Sequence, residues 1–464
     1  MEHSKEELTE PVSPLGQCFD SKYLSLYLLV VFEFEVPIHG LQVASLAKDA
    51  LLSIPRFSSI MVCDGGVKRW KQVHVKLEEH IIEPTFIEGM SMDSYEKAFD
   101  EYFSRIAMEK LPQTKPLWQL HVIKYPTTNS AGTLIIKFHH AIGDGYTLMG
   151  LLLSSLQRAK DPSLPLSFPS RKSSKETRKI FLRRVPKCVS TAFNTVQEFG
   201  WSLMKSTLLE DDRTPIRSGA DAVEFRPVVV SHITFSIEHI KEIKSNLGVT
   251  LNDVITGIIF YGLRLYMQDV DYRARALKST ALITVNTRNV KDYNKVQDML
   301  KTNAKGAWGN QIACLHVSIP KLGDTPISNP LYFVRKAHNS INKKRHSFAT
   351  HLTGMLLLMK NTLKGPEAMA KHMYKTIRNS SITISNMIGP LEQMALGNHP
   401  IKGFFFTGSG NPTSLKISIM SYMGMLRVTT TTEKGYIDEQ KLVGYLNNAF
   451  ETLRRQAAKE NIPS

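Results

Sequence analysis

Apolar residues recur along this chain at two different periods, and the switches between them outline its elements. The run YLSLYLLVVF, Tyr23 to Phe32, is apolar at nearly every position until Glu33 and Glu35 interrupt it, so it reads as a strand buried on both faces. It is far shorter than the roughly 20 residues needed to span a bilayer. In IHGLQVASLAKDALLSIPRFSS, Leu41, Val43, Leu46, Ala50 and Leu51 return at helical steps, and Pro55 ends the helix. RWKQVHVKL predicts a strand, and SYEKAFDEYFSRIAMEKL a second amphipathic helix closed by Pro112. LWQLHVIKY and GTLIIKF, separated by the polar turn PTTNSAG, predict a hairpin, after which YTLMGLLLSSLQRA returns to the helical period.

Beyond Asp161 the composition shifts to Pro, Ser, Lys and Arg, and periodic elements resume near Asp221. VSHITFSI, STALITVNTR and NQIACLHVSIP predict strands, and IEHIKEIKSNLG and NDVITGIIFYGLRLYMQ predict helices. A helical stretch from Leu331 to about Arg378 precedes SSITISNMIGP, two strands in LKISIMSYMG and MLRVTTTTE, and a closing helix from Asp438 to Ala457. The mixture predicts an α/β or α+β protein. A chain of 464 residues exceeds one ordinary core, which gives an expected division into residues 1–165, a connection 166–222, and residues 223–464.

That connection is unusual in its charge. Eight of the seventeen residues from Arg171 to Lys187 are basic and only Glu176 is acidic, and directly afterwards Val189, Ala192, Phe193, Val196, Phe199, Trp201, Leu203 and Met204 recur mostly at three- and four-residue steps. A basic block joined to an apolar stripe with a Trp suits an interfacial membrane helix. A solvated linker followed by a helix packed on its own domain would read the same way. The whole chain carries a formal net charge of +16, which favours nucleic acid, anionic lipid or a phosphorylated small molecule as partner. No nucleic-acid recognition module with interleaved aromatics is present, which disfavours the first. Cys18, Cys63, Cys188 and Cys314 lie far apart and read as reduced thiols, and the polar, acidic N-terminus does not resemble an export signal.

The candidate chemistry sits where the second hairpin strand ends, in KFHHAIGDGYTLMG, residues 137 to 150. Successive side chains of a strand point to opposite faces, so His139 and His140 do not converge on one metal ion, and no third ligand at helical or turn spacing is nearby. No metal is expected. One histidine is instead placed to work as a base, with Asp144 in the following turn folding back or pairing with a cation, and Gly143 and Gly145 leaving room for approach.

HHAIGDG resembles the HHxxxDG signature of the wax ester synthase/acyl-CoA:diacylglycerol acyltransferase family, within the CoA-dependent acyltransferase superfamily. PRFSS (Pro55 to Ser59), KPLW (Lys115 to Trp118), NDV (Asn252 to Val254), VNTR (Val285 to Arg288), WGN (Trp308 to Asn310) and SNMIGP (Ser385 to Pro390) resemble other blocks of the family in the same order, its plant members above all. The resemblance implies two chloramphenicol-acetyltransferase-like α/β domains with an active-site tunnel at their interface. It implies acyl-CoA as substrate, with no further cofactor, and a fatty alcohol or diacylglycerol as acceptor. Its general base would be His140, with His139 supporting it, and Asp144 would hold the loop by pairing with an arginine, for which Arg288, also a candidate substrate contact, is the candidate. Asn252, Ser385 and Asn386, with Thr383, are candidate donors to the oxyanion, and Trp118 would shape the cleft wall. TLND reads equally as a helix start capped by Thr250, and SNMIGP as a turn. The resemblance also points to the cytosolic face of the endoplasmic reticulum membrane, or the plasma membrane.

Two other functions remain to be weighed. A plant HxxxDG transferase acting on another hydroxyl acceptor would carry a DFGWG-like block near its C-terminal end, and SLKISIMSYMGMLRVTTTTEKG has none. A catalytically silent lipid-binding relative would have no need of His140, Asp144 and Gly145, all of which are present.

Overall fold

The structure is a computed structural model that describes residues 8–169, 184–288, 309–324, 329–345 and 347–460. The chain divides into two compact units, each mixed α/β. The first comprises residues 1–169, 286–312 and 387–411, and the second residues 170–285, 313–386 and 412–464.

The first unit is built on a seven-stranded sheet. Its strands run in the order Ile81–Ile82, Trp118–Ile123, Gly132–His139, Tyr27–Phe34, His399–Ser409, Met394–Leu396 and Gln157–Arg158. Every residue of Tyr27–Phe34 and of Gly132–His139 is buried, which is why neither segment alternates between apolar and polar positions. They pair antiparallel in a register that sets Tyr27 opposite His139. A three-stranded antiparallel sheet of Leu8–Pro11, Val67–Gln72 and Ser59–Asp64 lies in the same unit.

In the second unit six strands run in the order Ile312–Ser318, Thr280–Asn286, Ile382–Ile388, Leu415–Tyr422, Met425–Glu433 and Val228–Ser236. The helices Ile237–Leu247, Leu251–Val270, Leu331–Arg345 and Glu439–Lys459 contribute to its core. Two glycines let these helices meet: a Cβ on Gly257 would fall 2.7 Å from Val334 Cα, and one on Gly262 would fall 3.0 Å from Leu446 Cα. Among the described residues no single helix is long and apolar enough to cross a membrane. Ile237–Leu247 and Leu251–Val270 would qualify only as a pair bent by 99°, and both supply buried residues to this core.

Four expectations change. The contiguous division 1–165, 166–222 and 223–464 gives way to interleaved units, because His399–Ser409 and Met394–Leu396 complete the first unit's sheet. Without His399–Ser409, the strand Tyr27–Phe34 would be left with an unpaired edge. The expected connection contributes the helix Arg184–Thr207, which packs within the second unit against Ala349–Lys364 and Pro366–Arg378. The helical stretch from Leu331 to Arg378 is three helices, Leu331–Arg345, Ala349–Lys364 and Pro366–Arg378, the last two separated by Gly365 at φ 77°. The helix after the motif ends at Ser154, and Gln157–Arg158 become an edge strand by pairing with Met394–Leu396. The basic positions 171–183, together with Trp308, lie outside the described residues.

Candidate active site

The strand Gly132–His139 delivers its last residue, His139, fully buried, and the chain then turns. His140 N donates to Leu26 O at 2.8 Å and Ile142 N to His139 O at 3.1 Å. Asp144 ends the turn as the N-cap of the helix Gly145–Ser154, its Oδ1 accepting from Thr147 N at 3.1 Å. A carboxylate at this position satisfies a backbone N–H that the helix leaves without a partner and sits at the positive end of its dipole.

The other carboxylate oxygen of Asp144 accepts from Arg288 Nη1 at 2.5 Å and from Gln311 N at 2.8 Å. Arg288 Nη2 donates to Gly309 O at 2.7 Å and to Thr147 Oγ1 at 3.2 Å. The Asp144 side chain is 0% exposed and that of Arg288 is 2%. The pair that the resemblance implied is therefore present. The guanidinium of Arg288 is committed to the loop, so its expected role as a substrate contact gives way to a scaffolding one. Gly309 bridges Gly143 and has φ +85°, a conformation that leaves glycine as the natural occupant.

Asn310 holds His140 at two points. Its Nδ2 donates to the His140 carbonyl oxygen at 2.8 Å, and its Oδ1 lies 2.8 Å from His140 Nδ1. The first contact needs the amide nitrogen, so the oxygen must face the ring, and an amide oxygen only accepts. The proton of the neutral imidazole is thereby placed on Nδ1, leaving the Nε2 lone pair available. Burial holds the imidazole below its ordinary pKa, against opposing pulls from the Asp144 carboxylate and the Asn310 hydrogen bond. The ring is neutral at pH 7, as a base must be, and Phe19 lies against it with centroids 4.8 Å apart.

His139 occupies the opposite strand face. Its Nδ1 accepts from Ala141 N at 3.2 Å, and its ring meets Tyr27 edge-on at 5.1 Å. Burial pushes its pKa down to about 4. With no surface exposed, it braces the turn and is not placed as a second base.

Two further candidates move. Trp118 is fully buried, stacks on His80 at 4.2 Å and donates from Nε1 to Phe57 O at 2.8 Å, so it is a core residue and not a cleft wall. The room expected over Gly145 is filled by Met387: a Cβ there would lie 3.0 Å from the Met387 sulfur.

Within the second unit, Asn386 Nδ2 donates to Asn252 Oδ1 at 2.7 Å, and Ser385 Oγ lies 2.9 Å from Thr284 Oγ1. Thr250 and Asp253 form the expected capping box around Asn252. Asn252 and Asn386 are thus brought together at exposed positions, as a pair of amides able to present N–H donors.

Sequence reasoning assigned no role to Asn310 or to Arg56, although both fall in quoted blocks. Arg56, of PRFSS, is buried, donates from Nη1 to Ile142 O in the motif turn at 3.1 Å, and pairs with Glu10 at 2.6 Å. Among the described residues no group of three or more His, Cys, Asp or Glu is placed to hold a metal ion.

Comparison with known proteins shows the family. Residues 68–255 match the wax ester synthase/diacylglycerol acyltransferase catalytic domain, and residues 308–454 match the WS/DGAT C-terminal domain. The chain is similar to wax ester synthase/diacylglycerol acyltransferase 7 of Arabidopsis thaliana, 27% identical over 480 residues that cover 98% of each protein. It is likewise similar to wax ester synthase/diacylglycerol acyltransferase 3 of the same plant, 26% identical and covering 95% of this chain and 92% of that protein. In fold it resembles the wax ester synthase/diacylglycerol acyltransferase of Marinobacter aquaeolei VT8, with a TM-score of 0.58 at 15% identity over 97% of this chain and all of that one. It also resembles the starter condensation domain of rhizomide synthetase, with a TM-score of 0.56 at 12% identity over 97% of this chain and 95% of that one. With both domain models together spanning more than half of its length, the chain belongs to the wax ester synthase/diacylglycerol acyltransferase family and is an acyl-CoA-dependent O-acyltransferase.

Proposed function

We propose that His140 is the general base that moves a long-chain acyl group from acyl-CoA to the hydroxyl of a fatty alcohol or diacylglycerol. The observation that carries this is the Asn310 clamp, which leaves Nε2 of a neutral imidazole as the unprotonated atom. An alcohol is about as weak an acid as water, with a pKa of roughly 15.7, so it does not ionise beforehand. Nε2 takes the hydroxyl proton as the oxygen attacks the thioester carbonyl. Collapse of the tetrahedral intermediate breaks the carbon–sulfur bond, and the departing CoA thiolate takes the proton back from Nε2. The base is regenerated and no covalent acyl-enzyme forms. Such a base contributes roughly 10² to 10⁴ in rate.

Acceptors of this kind reside in membranes, and we place the enzyme on the cytosolic face of the endoplasmic reticulum. Expression in a yeast unable to make neutral lipids, fed fatty alcohol, tests the reading when extracted lipids are resolved into wax esters and triacylglycerols. One or both products are expected from the native chain and neither from His140→Ala. Product formation by a folded His140→Ala chain at the native rate would overturn the mechanism.

A further inference from the structure

In the second unit the helix Ala349–Lys364, ATHLTGMLLLMKNTLK, is apolar in composition, yet Ala349 is its only buried residue. Met355, Leu358, Met359 and Leu363 are all exposed, Leu363 to 73%. Steps of three and four residues set them on one helical face, the reverse of a helix that turns its apolar stripe to a core. The neighbouring helix Arg184–Thr207 does the same, with Phe193 and Val196 exposed to 70% and 73%, and Leu203 and Met204 exposed further along. The two helices touch through their other faces. Phe348 N donates to Thr195 Oγ1 at 3.0 Å, and Glu198, Trp201 and Ser202 line a shared hollow with Ala349, Thr350 and Thr353.

Charge identifies what covers this face. Between Leu331 and Arg378 the chain carries ten Lys or Arg residues and a single acid, Glu367, although Arg335, Lys343, Lys344 and Arg378 pair with Glu460, Glu198 and Asp221 from elsewhere in the unit. Lys364, at the end of the apolar helix, and Lys371 and Lys375, on the helix after it, are exposed. Apolar side chains bordered by cations match the acyl and headgroup levels of an anionic bilayer. A second copy would set the same positive surface against itself, which disfavours a dimer through this face.

We propose that the paired helices Arg184–Thr207 and Ala349–Lys364 form a docking face for an anionic phospholipid surface. The proposal rests, for its purpose, on the reading that the acceptor is a membrane lipid, but its test does not.

Full-length protein is mixed with vesicles of phosphatidylcholine alone or with phosphatidylserine added, and the bound fraction is measured by flotation. The native chain is expected to bind the anionic vesicles and to be weakened by salt. Substituting Phe193→Asp, Leu358→Asp and Leu363→Asp together is expected to lower partitioning about tenfold or more. Substituting Lys364→Glu, Lys371→Glu and Lys375→Glu is expected to abolish the preference for anionic over neutral vesicles. Circular dichroism and acyl transfer between water-soluble, short-chain substrates serve as controls and are expected to stay at native values in both variants. Native partitioning by the aspartate variant overturns the proposal, as does equal binding to neutral and anionic vesicles. A native dimer that the aspartate variant dissociates without loss of vesicle binding also overturns it, in favour of a second copy. Binding in the expected pattern by a chain that makes no ester would sink the acyl-transfer reading and leave the docking face standing.

Discussion

Each unit of this protein hides an ion pair, and the two are nearly identical as pairs. In the first, Asp144 and Arg288 meet at 2.5 Å. In the second, Lys205 and Asp211 meet at 2.6 Å, again with almost no exposure. Both aspartates are saturated with further hydrogen bonds. Asp211 accepts from Thr280 N, Thr280 Oγ1 and Ser381 Oγ, much as Asp144 accepts from Thr147 and Gln311 N. Both tie together segments that are remote in sequence.

They differ in what stands beside them. Gln311, held by Asp144, directly follows Asn310, so the first pair fixes the residue that orients His140. The Lys205 cluster ends in backbone carbonyls and hydroxyls, with Lys205 Nζ also donating to Asn379 O. A buried ion pair therefore does not mark chemistry by its burial. What marks it is a titratable ring held by a residue that the pair itself fixes, as Asn310 holds His140, whereas His316, near Lys205, is buried and held through Ser202.

The largest expected effect sharpens that contrast. His140→Ala should lower the acyl-transfer rate by roughly 10² to 10⁴ while leaving the melting temperature and circular dichroism unchanged. A full-rate variant would place the base elsewhere.

Breaking each ion pair comes next. Asp144→Ala and Asp211→Ala each leave a buried cation without its partner, and each should cost about 3–5 kcal/mol in urea unfolding. Only Asp144→Ala should also lower the rate per folded molecule. If Asp211→Ala did so equally, the distinction between the pairs would fail.

A smaller effect tests the clamp itself. Asn310→Ala should reduce kcat about tenfold, since it removes the hydrogen bond to the His140 carbonyl and the one to Nδ1 that selects the tautomer. Burial already places the acid limb of kcat/KM below the ordinary histidine value of about 6.5. The Asn310 bond opposes that burial, so the variant's limb should move to lower pH still. A merely structural role for Asn310 would leave the limb in place.

The last effect reads the buried histidines by their titration. His139, with a pKa pushed down to about 4, and His121 and His232, pushed to about 3, are neutral in the fold and charge on unfolding. Below the ordinary value of about 6.5, the unfolded chain therefore binds more protons than the native one. The stability that these groups contribute is fully present above that pH and is lost progressively toward about pH 4. Melting temperatures measured from pH 7 to 4 should fall accordingly, and His139→Asn should flatten the decline.

Much of the fold could be read from local pattern. The hairpin that ends in His139, the helix after Asp144 and the capping box at Thr250 each depend on residues within a few positions of one another. Period and cap chemistry report such neighbours directly. The break at Gly365 was equally local, but LKGPE inside a long helical pattern reads as a kink as readily as a stop. The helix around Met355 and Leu358 misleads for a different reason: the period shows that a face is apolar and not whether protein covers it.

What the sequence alone determined is the turn: two histidines on opposite faces of a strand end, an aspartate placed to cap the next helix, and glycines between them. Which histidine stands in position to act, and in which tautomer, was decided by Arg288, Gly309 and Asn310, more than a hundred residues away in the chain. The same holds for His399–Ser409, whose pairing with Tyr27–Phe34 put a late segment into the first unit's sheet. Alternation and propensity describe what one segment needs from its surroundings. Which distant segment meets that need is fixed only when the chain closes, because many apolar strands and many amide side chains could serve and their letters do not tell them apart.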